Sequence, residues 1–204
     1  TGFDDAAALP ALCDGKSVIV IGPGLGQDEW AQQCLRHAVT AGMPLVCDAD
    51  ALNMIAENEG AIPRETPLIV TPHPGEASRL AGVPTGEIES DRVGWATALA
   101  KRYAGVGVLK GAGTVIASPD KDDQPHICAG GNPGMATGGM GDVLAGLIGA
   151  LVAQGLSHME ASTFGVATHA RAGDLAWERH GVGLTAADVA ESLGVALSHM
   201  APSA

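Results

Sequence analysis

The sequence predicts an α/β fold, with a mostly parallel central sheet covered by helices on both faces and a β-hairpin near residues 114–129. Short apolar runs rich in β-branched residues alternate along the chain with longer segments of helical periodicity. The short runs are apolar at nearly every position, which is typical of parallel strands buried on both faces. Each run also ends in a glycine-rich or polar segment, as strands do where an open α/β sheet binds its ligands.

The first half of the chain alternates between predicted strands and predicted helices. Strands are expected at residues 17–21 (SVIVI), 44–48 (PLVCD), 68–71 (LIVT) and 107–110 (GVLK). Helices are expected at residues 28–41, 51–57, 73–81 and 91–103. Asp50 stands directly before the second of these helices, and its side chain predicts an N-cap there. The alternation predicts parallel strands joined by helical crossovers.

The second half of the chain predicts a hairpin followed by three helices. Two β-like runs, at residues 114–118 and 125–129, flank a polar turn, which is a hairpin pattern. Thr185 is predicted to be the N-cap of the last helix. No repeat or linker interrupts the chain, so one domain is expected over residues 1–204. The three helices are expected at residues 142–154, 158–180 and 186–200.

Composition and charge exclude several classes of protein. The chain has 204 residues and a formal net charge of −12, with only 11 lysines and arginines. A nucleic-acid surface needs clustered basic side chains, and the sequence has no such run. No apolar stretch reaches the roughly 20 residues of a membrane-spanning helix. The four cysteines form no CxxC pair, which favours free thiols in a reducing compartment. We therefore expect a cytoplasmic protein that binds neither nucleic acid nor membrane.

Residues 130–142 (GGNPGMATGGMGD) contain six glycines in thirteen residues and end in a carboxylate. Glycines let backbone amides approach a ligand closely, and the helix that follows points its free N–H groups and positive dipole end into the same space. The pattern predicts an anion hole for a phosphoryl group, formed by Gly138, Gly139, Met140 and Gly141. Asp142 at its edge predicts a base that takes a proton from a hydroxyl about to meet that group.

The other predicted strands also end in candidate site residues. Gly22–Gly26 (GPGLG) is either a ligand contact or a tight βα turn, and it lacks the third glycine of a dinucleotide-binding fingerprint. Asp48 either caps the helix that follows or orients a hydroxyl or a metal-bound water. His73 lies between two prolines, which favours a ligand contact over a position on a helix face. The turn Lys110–Thr114 (KGAGT) favours backbone contacts with a nucleotide phosphate or ribose.

Five motifs, in chain order, resemble those of the bacterial ADP-dependent NAD(P)H-hydrate dehydratases. They are VIGPGLG, CDADALN, VTPHPGEASRL, VLKGAGT and GNPGMATGGMGDVLAGLIGAL. The resemblance covers nearly the whole chain and implies a ribokinase-like fold. Domains of this family usually begin with a further glycine-containing strand–helix segment, and this chain begins too late to include it.

The resemblance implies a metabolite-repair reaction. Hydrated NADH or NADPH would be dehydrated at the expense of ADP, giving AMP and phosphate, through phosphorylation of the ring hydroxyl and elimination. ADP, or ATP, would be the co-substrate together with Mg²⁺, for which Glu76 is the candidate ligand. The family is often fused to an NAD(P)H-hydrate epimerase, and the resemblance suggests a homo-oligomer.

The family motifs also imply which residues meet which ligand. Asp142 matches the catalytic base of ribokinase-like enzymes. The adenine nucleotide is expected against Lys110, Gly111, Ala112, Gly113, Thr114 and Gly141. The hydrated dinucleotide is expected against Gly22, Gly24, Gly26, Asp48, His73, Asn132 and Asp142.

Two other functions stay open at this stage. A ribokinase-like kinase acting on a small alcohol, such as a vitamin precursor, would use the same base. A domain that holds adenine nucleotide without catalysis would keep the same glycine-rich turns. The sequence also leaves open the preference for ADP or ATP and for hydrated NADH or NADPH.

Overall fold

The computed structural model describes residues 8–58, 62, 66 and 68–200, and these contain a six-stranded sheet. Its spatial order follows the chain, β1 to β6. The first four strands pair in parallel, and β4–β5 and β5–β6 pair antiparallel. The predicted parallel sheet and hairpin are therefore confirmed. The strands are β1 (Ile19–Ile21), β2 (Leu45–Cys47), β3 (Leu68–Val70), β4 (Val106–Leu109), β5 (Thr114–Ala117) and β6 (His126–Cys128).

Nine α-helices lie in the described part of the chain, and seven of them match the predicted segments to within two residues at most ends. The two that the sequence did not predict, α1 and α5, have only five and six residues, too few for helical periodicity to show. The helices are α1 (Leu9–Cys13), α2 (Glu29–Thr40), α3 (Ala49–Glu57), α4 (Pro74–Ala81), α5 (Thr85–Ser90), α6 (Arg92–Arg102), α7 (Met140–Ala153), α8 (His158–His180) and α9 (Ala186–Met200).

Helices cover both faces of the sheet, as predicted. Side chains alternate between the two faces of a strand, and the core follows this alternation. Leu45 and Cys47 of β2 pack in one apolar cluster with residues of α2, α3, α4 and α6. Val46 of β2 packs in a second cluster with Leu144 and Ile148 of α7 and residues of α8. The sheet therefore has two buried faces, which explains its uninterrupted apolar strands.

A third apolar cluster fixes the start of α7. Met140 at the first position of α7 packs with residues of the second half of α8 and of α9. The segment before it contains a short 3₁₀ helix (Pro133–Met135). Asn132 ties this segment to α8, since its Nδ2 donates to Asp174 Oδ1 at 3.0 Å. The glycine-rich segment is thus packed against two long helices and leads into α7 along a defined path.

One predicted cap is wrong and one is confirmed. Asp50 does not cap α3, because α3 begins at Ala49 and its N-cap residue is Asp48. Asp50 instead lies in the first turn, where its Oδ2 accepts from the Gly26 backbone N–H at 2.9 Å. Thr185 does cap α9: its Oγ1 accepts from the Asp188 N–H at 3.4 Å, and Asp188 Oδ2 accepts from the Thr185 N–H at 2.8 Å.

All four cysteines are free thiols, and Cys34 and Cys47 are buried, in line with the expectation from their spacing. Burial raises the pKa of both buried thiols, so they stay protonated and unreactive at neutral pH. Within the described ranges, none of the helices combines the length and the apolar character needed to cross a membrane.

Candidate active site

The carboxyl ends of β2, β3 and β4 bring three charged side chains together. Lys110 directly follows β4, and its Nζ lies 2.5 Å from Oδ1 of Asp48, which directly follows β2. Glu76, from the first turn of α4 behind β3, places Oε2 3.9 Å from the same Nζ. Asp48 and Glu76 are 1% and 5% exposed. One lysine therefore compensates two buried carboxylates, and its side chain is committed to them.

The N-terminus of α7 lies directly over this ion pair. A Cβ on Gly141 would stand 2.9 Å from Lys110 Nζ and 3.3 Å from Asp48 Oδ2, so only glycine fits there without displacing the pair. No side chain caps the start of α7. The N–H groups of its first turn thus have no side-chain partner, and the anion hole expected at Gly138–Gly141 stays a prediction. Asp142, the third residue of α7, is exposed beside them.

A cavity of about 520 Å³ opens next to the start of α7. All six residues predicted to meet the nucleotide line it, namely Lys110, Gly111, Ala112, Gly113, Thr114 and Gly141. The hairpin end, the 3₁₀ segment and apolar side chains of α7 and α8 complete the wall. A pocket of this size with few polar groups suits a small organic ligand.

Asn132, predicted on the substrate side, lines the same cavity as the nucleotide group. Its amide is already engaged: Oδ1 accepts from the Gly134 N–H at 3.1 Å, and Nδ2 donates to Asp174. The structure therefore places Asn132 with Lys110–Thr114 and not with the Gly22–Gly26 turn. Its role as a substrate contact stays a prediction.

Arg92, which the sequence reasoning missed, holds the Lys110–Thr114 turn from behind. Its Nη2 donates to three carbonyl oxygens, those of Leu109, Lys110 and Gly113, at 3.1, 3.2 and 3.3 Å. Arg92 is the first residue of α6, where the helix dipole disfavours a positive charge. A cation at a helix start is the one signal in the sequence that pointed to a special role.

His73 and Glu76 form the N-terminal cap of α4. His73 Nδ1 accepts from the Gly75 N–H at 3.0 Å, and Glu76 Oε2 accepts from the His73 N–H at 2.7 Å. The His73 side chain is 52% exposed, and its Nε2 lies 3.4 Å from Glu76 Oε1. His73 therefore has a structural role that the sequence did not predict. Its exposed ring edge still leaves Nε2 within reach of a ligand, and that contact stays a prediction.

The described residues offer no ready-made metal cage, since none of their His, Cys, Asp and Glu side chains form a group of three placed to hold an ion. Mg²⁺ bound with a nucleotide needs only one or two carboxylates, because phosphates and waters supply its other ligands. Both Glu76 oxygens already face His73. Asp48 Oδ2 is buried and has no hydrogen-bond partner among the described residues. The donor set thus fits a metal that arrives on a nucleotide, and the assignment of Glu76 as its ligand stays a prediction.

The Gly22–Gly26 turn follows β1 beside the same edge. Gly22 has a φ of 126°, and a Cβ there would collide with the backbone carbonyl of Asp48. Gly22 is thus required by packing. Around Gly24 and Gly26 the side where a Cβ would stand is open. The turn therefore combines a tight βα connection at Gly22 with room for a ligand at Gly24 and Gly26.

His169, on α8, is a second cavity residue that sequence reasoning missed. It is 7% exposed and lines the cavity. Burial lowers its pKa from 6.5 to about 4; a hydrogen bond to the Met140 backbone opposes this shift, and the charge of Lys110 adds to it. A lone histidine in a helix carries no sequence signal that separates a core position from a cavity wall.

The comparisons with known proteins agree with this geometry. The family model for NAD(P)H-hydrate dehydratase matches residues 4–194. The bifunctional NAD(P)H-hydrate repair enzyme of Escherichia coli is 48% identical over 187 residues, which are 91% of this chain and 35% of that protein. The chain spans 35 to 38% of the length of the first curated relatives it matches.

Two solved structures show the same fold. One is the ADP/ATP-dependent NAD(P)H-hydrate dehydratase from Bacillus subtilis, co-crystallized with ATP/Mg²⁺, with a TM-score of 0.80 at 34% identity. The match covers 94% of this chain and 69% of the Bacillus subtilis chain. A ribokinase-like superfamily protein from Enterococcus faecalis has a TM-score of 0.83 at 28% identity and covers 98% of this chain and 69% of its own. The predicted ribokinase-like fold is confirmed, and the chain belongs to the NAD(P)H-hydrate dehydratase family.

Proposed function

We propose that this chain catalyses the ADP-dependent dehydration of hydrated NADH and NADPH, giving NAD(P)H, AMP and phosphate. The observation that carries the proposal is the single cavity lined by Lys110–Thr114 and by Gly141, the residue directly before Asp142. A nucleotide in that cavity has its phosphates at the N-terminus of α7. Its terminal phosphoryl group then lies beside the one exposed acid of that helix turn.

The chemistry follows from the arrangement of these groups. The N–H groups of Gly138–Gly141 and the α7 dipole stabilise the charge of the phosphoryl group during transfer. Asp142 takes the proton from the ring hydroxyl. At the same time the hydroxyl oxygen bonds to the terminal phosphorus of ADP, and the bond between that phosphorus and the AMP oxygen breaks. Phosphate then leaves with the electrons of the carbon–oxygen bond. Loss of a proton from the neighbouring ring carbon restores the double bond of NAD(P)H.

The substrate is assigned to the opposite side of Asp142. Gly24 and Gly26 leave open space above the β1 end, and the exposed ring of His73 lies behind β3 at the same edge. Asp48 is almost fully buried, so its contribution is to orient Lys110. Its contact with the substrate, like those of the three glycines of the Gly22–Gly26 turn, stays a prediction.

Mg²⁺ enters with the nucleotide, either ADP or ATP, and would neutralise phosphate charge. The ATP/Mg²⁺ complex of the Bacillus subtilis relative supports this assignment. The bifunctional nature of the curated relatives supports a fused or separate NAD(P)H-hydrate epimerase as partner. A homo-oligomer is a further prediction from the resemblance, and a cytoplasmic location and a single domain are predictions from the sequence.

The test is a stoichiometry measurement with hydrated NADH, ADP and Mg²⁺. We expect AMP, phosphate and NADH to appear in equal amounts, and no NADH to form when ADP is left out. A phosphorylated product that accumulates without release of phosphate would instead identify a small-molecule kinase. Calorimetric binding of ADP with no turnover would identify a nucleotide-binding domain without catalysis. Either outcome contradicts the proposal.

A further inference from the structure

One turn in the second half of α8 packs directly against the glycine-rich segment that leads into α7. Gly173 leaves room for Met135 there, since a Cβ on Gly173 would collide with the Met135 sulfur. The Trp177 ring lies against Gly134, where a Cβ would come within 2.6 Å of Cε3. The 3₁₀ helix of the segment therefore sits on this turn of α8 with no space between them.

The same turn also carries the acid that anchors the segment. Asn132 Nδ2 donates to Asp174 Oδ1 at 3.0 Å. Among the described residues, no other side-chain hydrogen bond joins residues 130–138 to another helix or strand. Asn132 lines the cavity, whereas Asp174 is half-buried and lies outside the lining. Any effect of Asp174 on a ligand in the cavity therefore passes through Asn132.

Asp174 also sets the direction in which the Asn132 amide points. A carboxylate offers only acceptors, so the NH₂ group of the amide has to face it. The amide oxygen then faces the 3₁₀ helix and accepts from the Gly134 N–H at 3.1 Å. Without the carboxylate the amide is free to turn, and the Gly134 N–H then loses its acceptor. One acid on α8 thus holds two successive hydrogen bonds of the segment.

We infer that Asp174 is a positioning residue for the phosphoryl-transfer site. Through the Asn132 amide it fixes residues 132–135 on α8, and the chain continues from this anchor into Gly138–Gly141. Groups that stabilise a transition state need to be held to within about 0.5 Å. A loosened anchor therefore weakens the stabilisation of the transferring group more than it weakens nucleotide binding. The inference rests on the proposed function, which assigns the phosphoryl group to Gly138–Gly141.

The first test measures kcat for hydrated NADH and the KM for ADP in Asp174→Ala. We expect kcat to fall roughly 10- to 100-fold, as for a catalytic group misplaced by up to about 1 Å, with a smaller change in KM. Asp174→Asn keeps an oxygen acceptor for Asn132 and should stay close to wild type. Glu160→Ala is the matched control and should keep the wild-type kcat, because Glu160 accepts from the Ser157 N–H at the other end of α8.

Exchange of the two side chains tests the pairing itself. Asn132→Asp alone places two carboxylates against each other, and like charges at this distance repel. In the double variant Asn132→Asp with Asp174→Asn, the amide at position 174 donates to the carboxylate at position 132. The second oxygen of that carboxylate still accepts from the Gly134 N–H. We expect the double variant to regain most of the kcat that Asn132→Asp loses.

Hydrogen exchange followed by mass spectrometry tests the anchor without any substrate. In Asp174→Ala we expect faster exchange than in the wild-type chain in peptides that cover residues 130–141, because this segment opens more often. Exchange in the parallel strands should not change. Glu160→Ala should leave the exchange of residues 130–141 at the wild-type rate.

Several outcomes overturn the inference. Unchanged exchange of residues 130–141 in Asp174→Ala does so, and so does a wild-type kcat in that variant. Equal losses of kcat in Asp174→Ala and Glu160→Ala would reveal a general loss of stability. A double variant no more active than Asn132→Asp would show that the pairing does not matter. A wild-type chain without turnover contradicts the proposed function, and hydrogen exchange then still decides whether Asp174 holds the segment.

Discussion

Asp142 differs from most acidic side chains at helix starts in this molecule. Asp28, Glu76, Glu160 and Asp188 each accept hydrogen bonds from backbone N–H groups close to their own helix starts. Asp142 is exposed and takes part in no hydrogen bond or ion pair with the residues described. The helix start around it consists of glycines and a methionine. Its carboxylate is therefore available for a proton.

Replacement of this carboxylate by an amide removes the base and leaves the shape unchanged. For Asp142→Asn we expect turnover of hydrated NADH to fall by about 100-fold or more, the usual contribution of a general base, while ADP binds with nearly the same affinity. The measurement is NADH formation at saturating ADP, with calorimetry for binding. Glu29→Gln, an exposed first-turn acid on α2, is the control. Wild-type turnover in Asp142→Asn would contradict the mechanism.

Lys110 and Asp48 form an ion pair next to Gly141, at the N-terminus of α7. For Lys110→Met we expect the free energy of unfolding to fall by about 3 kcal/mol, because Asp48 is left charged and buried without a partner. The double variant Lys110→Met with Asp48→Asn should recover part of this loss, since the charge of Asp48 is gone while Glu76 still lacks the lysine. Urea unfolding measures both. The exposed Lys101 provides the control Lys101→Met. Equal losses of unfolding free energy in the single and double variants would show that the loss does not come from the unpaired charge of Asp48.

At the scale of elements, strand ends were predictable and contacts across the sheet were not. The alternation of apolar runs located β1 to β4, and the glycine and polar residues after them located the site edge. Lys110 and Asp48 are 62 residues apart in the chain and two strands apart in the sheet, so no local pattern shows their pairing. The error at Asp50 has a local cause: Asp48 directly follows β2 and is already the N-cap residue of α3, whereas local propensity placed the helix start two residues later.

Helix α6 holds the nucleotide turn through the hydrogen bonds that Arg92 donates. In Arg92→Met the apolar stem remains, but the three carbonyl oxygens of the turn lose their donor. We expect ADP to bind about 10-fold more weakly, with a smaller effect on turnover at saturating ADP. Calorimetry and steady-state kinetics separate the two. Arg36→Met, on the exposed side of α2, should behave as wild type, and unchanged ADP affinity in Arg92→Met would show that the turn keeps its shape unaided.

At the scale of the whole molecule, the two faces of the sheet have different tasks. One face packs on α2 to α6 and forms a core that the site uses only through Arg92 and the α4 cap. The other packs on α7 and α8, which carry Asp142 and the cavity wall. The pattern of apolar residues predicted both layers. The same pattern could not predict that His169 lies in the cavity wall. The cavity forms between α8 and the glycine-rich segment, and this arrangement arises only in the folded molecule.

His169 also links the stability of the whole molecule to pH. Its pKa is lowered from 6.5 to about 4, first of all by burial. Between these values the unfolded chain binds a proton at His169 that the folded chain does not bind. The contribution of His169 to stability is therefore complete above pH 6.5 and is lost as the pH falls toward 4. From pH 7 to pH 5 the loss amounts to about 2 kcal/mol.

Urea unfolding at pH 7 and pH 5 measures this contribution. We expect His169→Gln to lose less stability between the two pH values than the wild-type chain, because its side chain does not titrate. The quantity compared is the change in the free energy of unfolding between pH 7 and pH 5. A loss of the bond to Met140 lowers stability at both pH values and therefore cancels. The lowered pKa values of Glu160 and Asp188 act below this range and are shared by both proteins. Burial also lowers the pKa of His158, so His158→Gln should likewise lose less stability between the two pH values than the wild-type chain. An equal loss of stability in the wild-type chain and His169→Gln would show that His169 is not held neutral by burial.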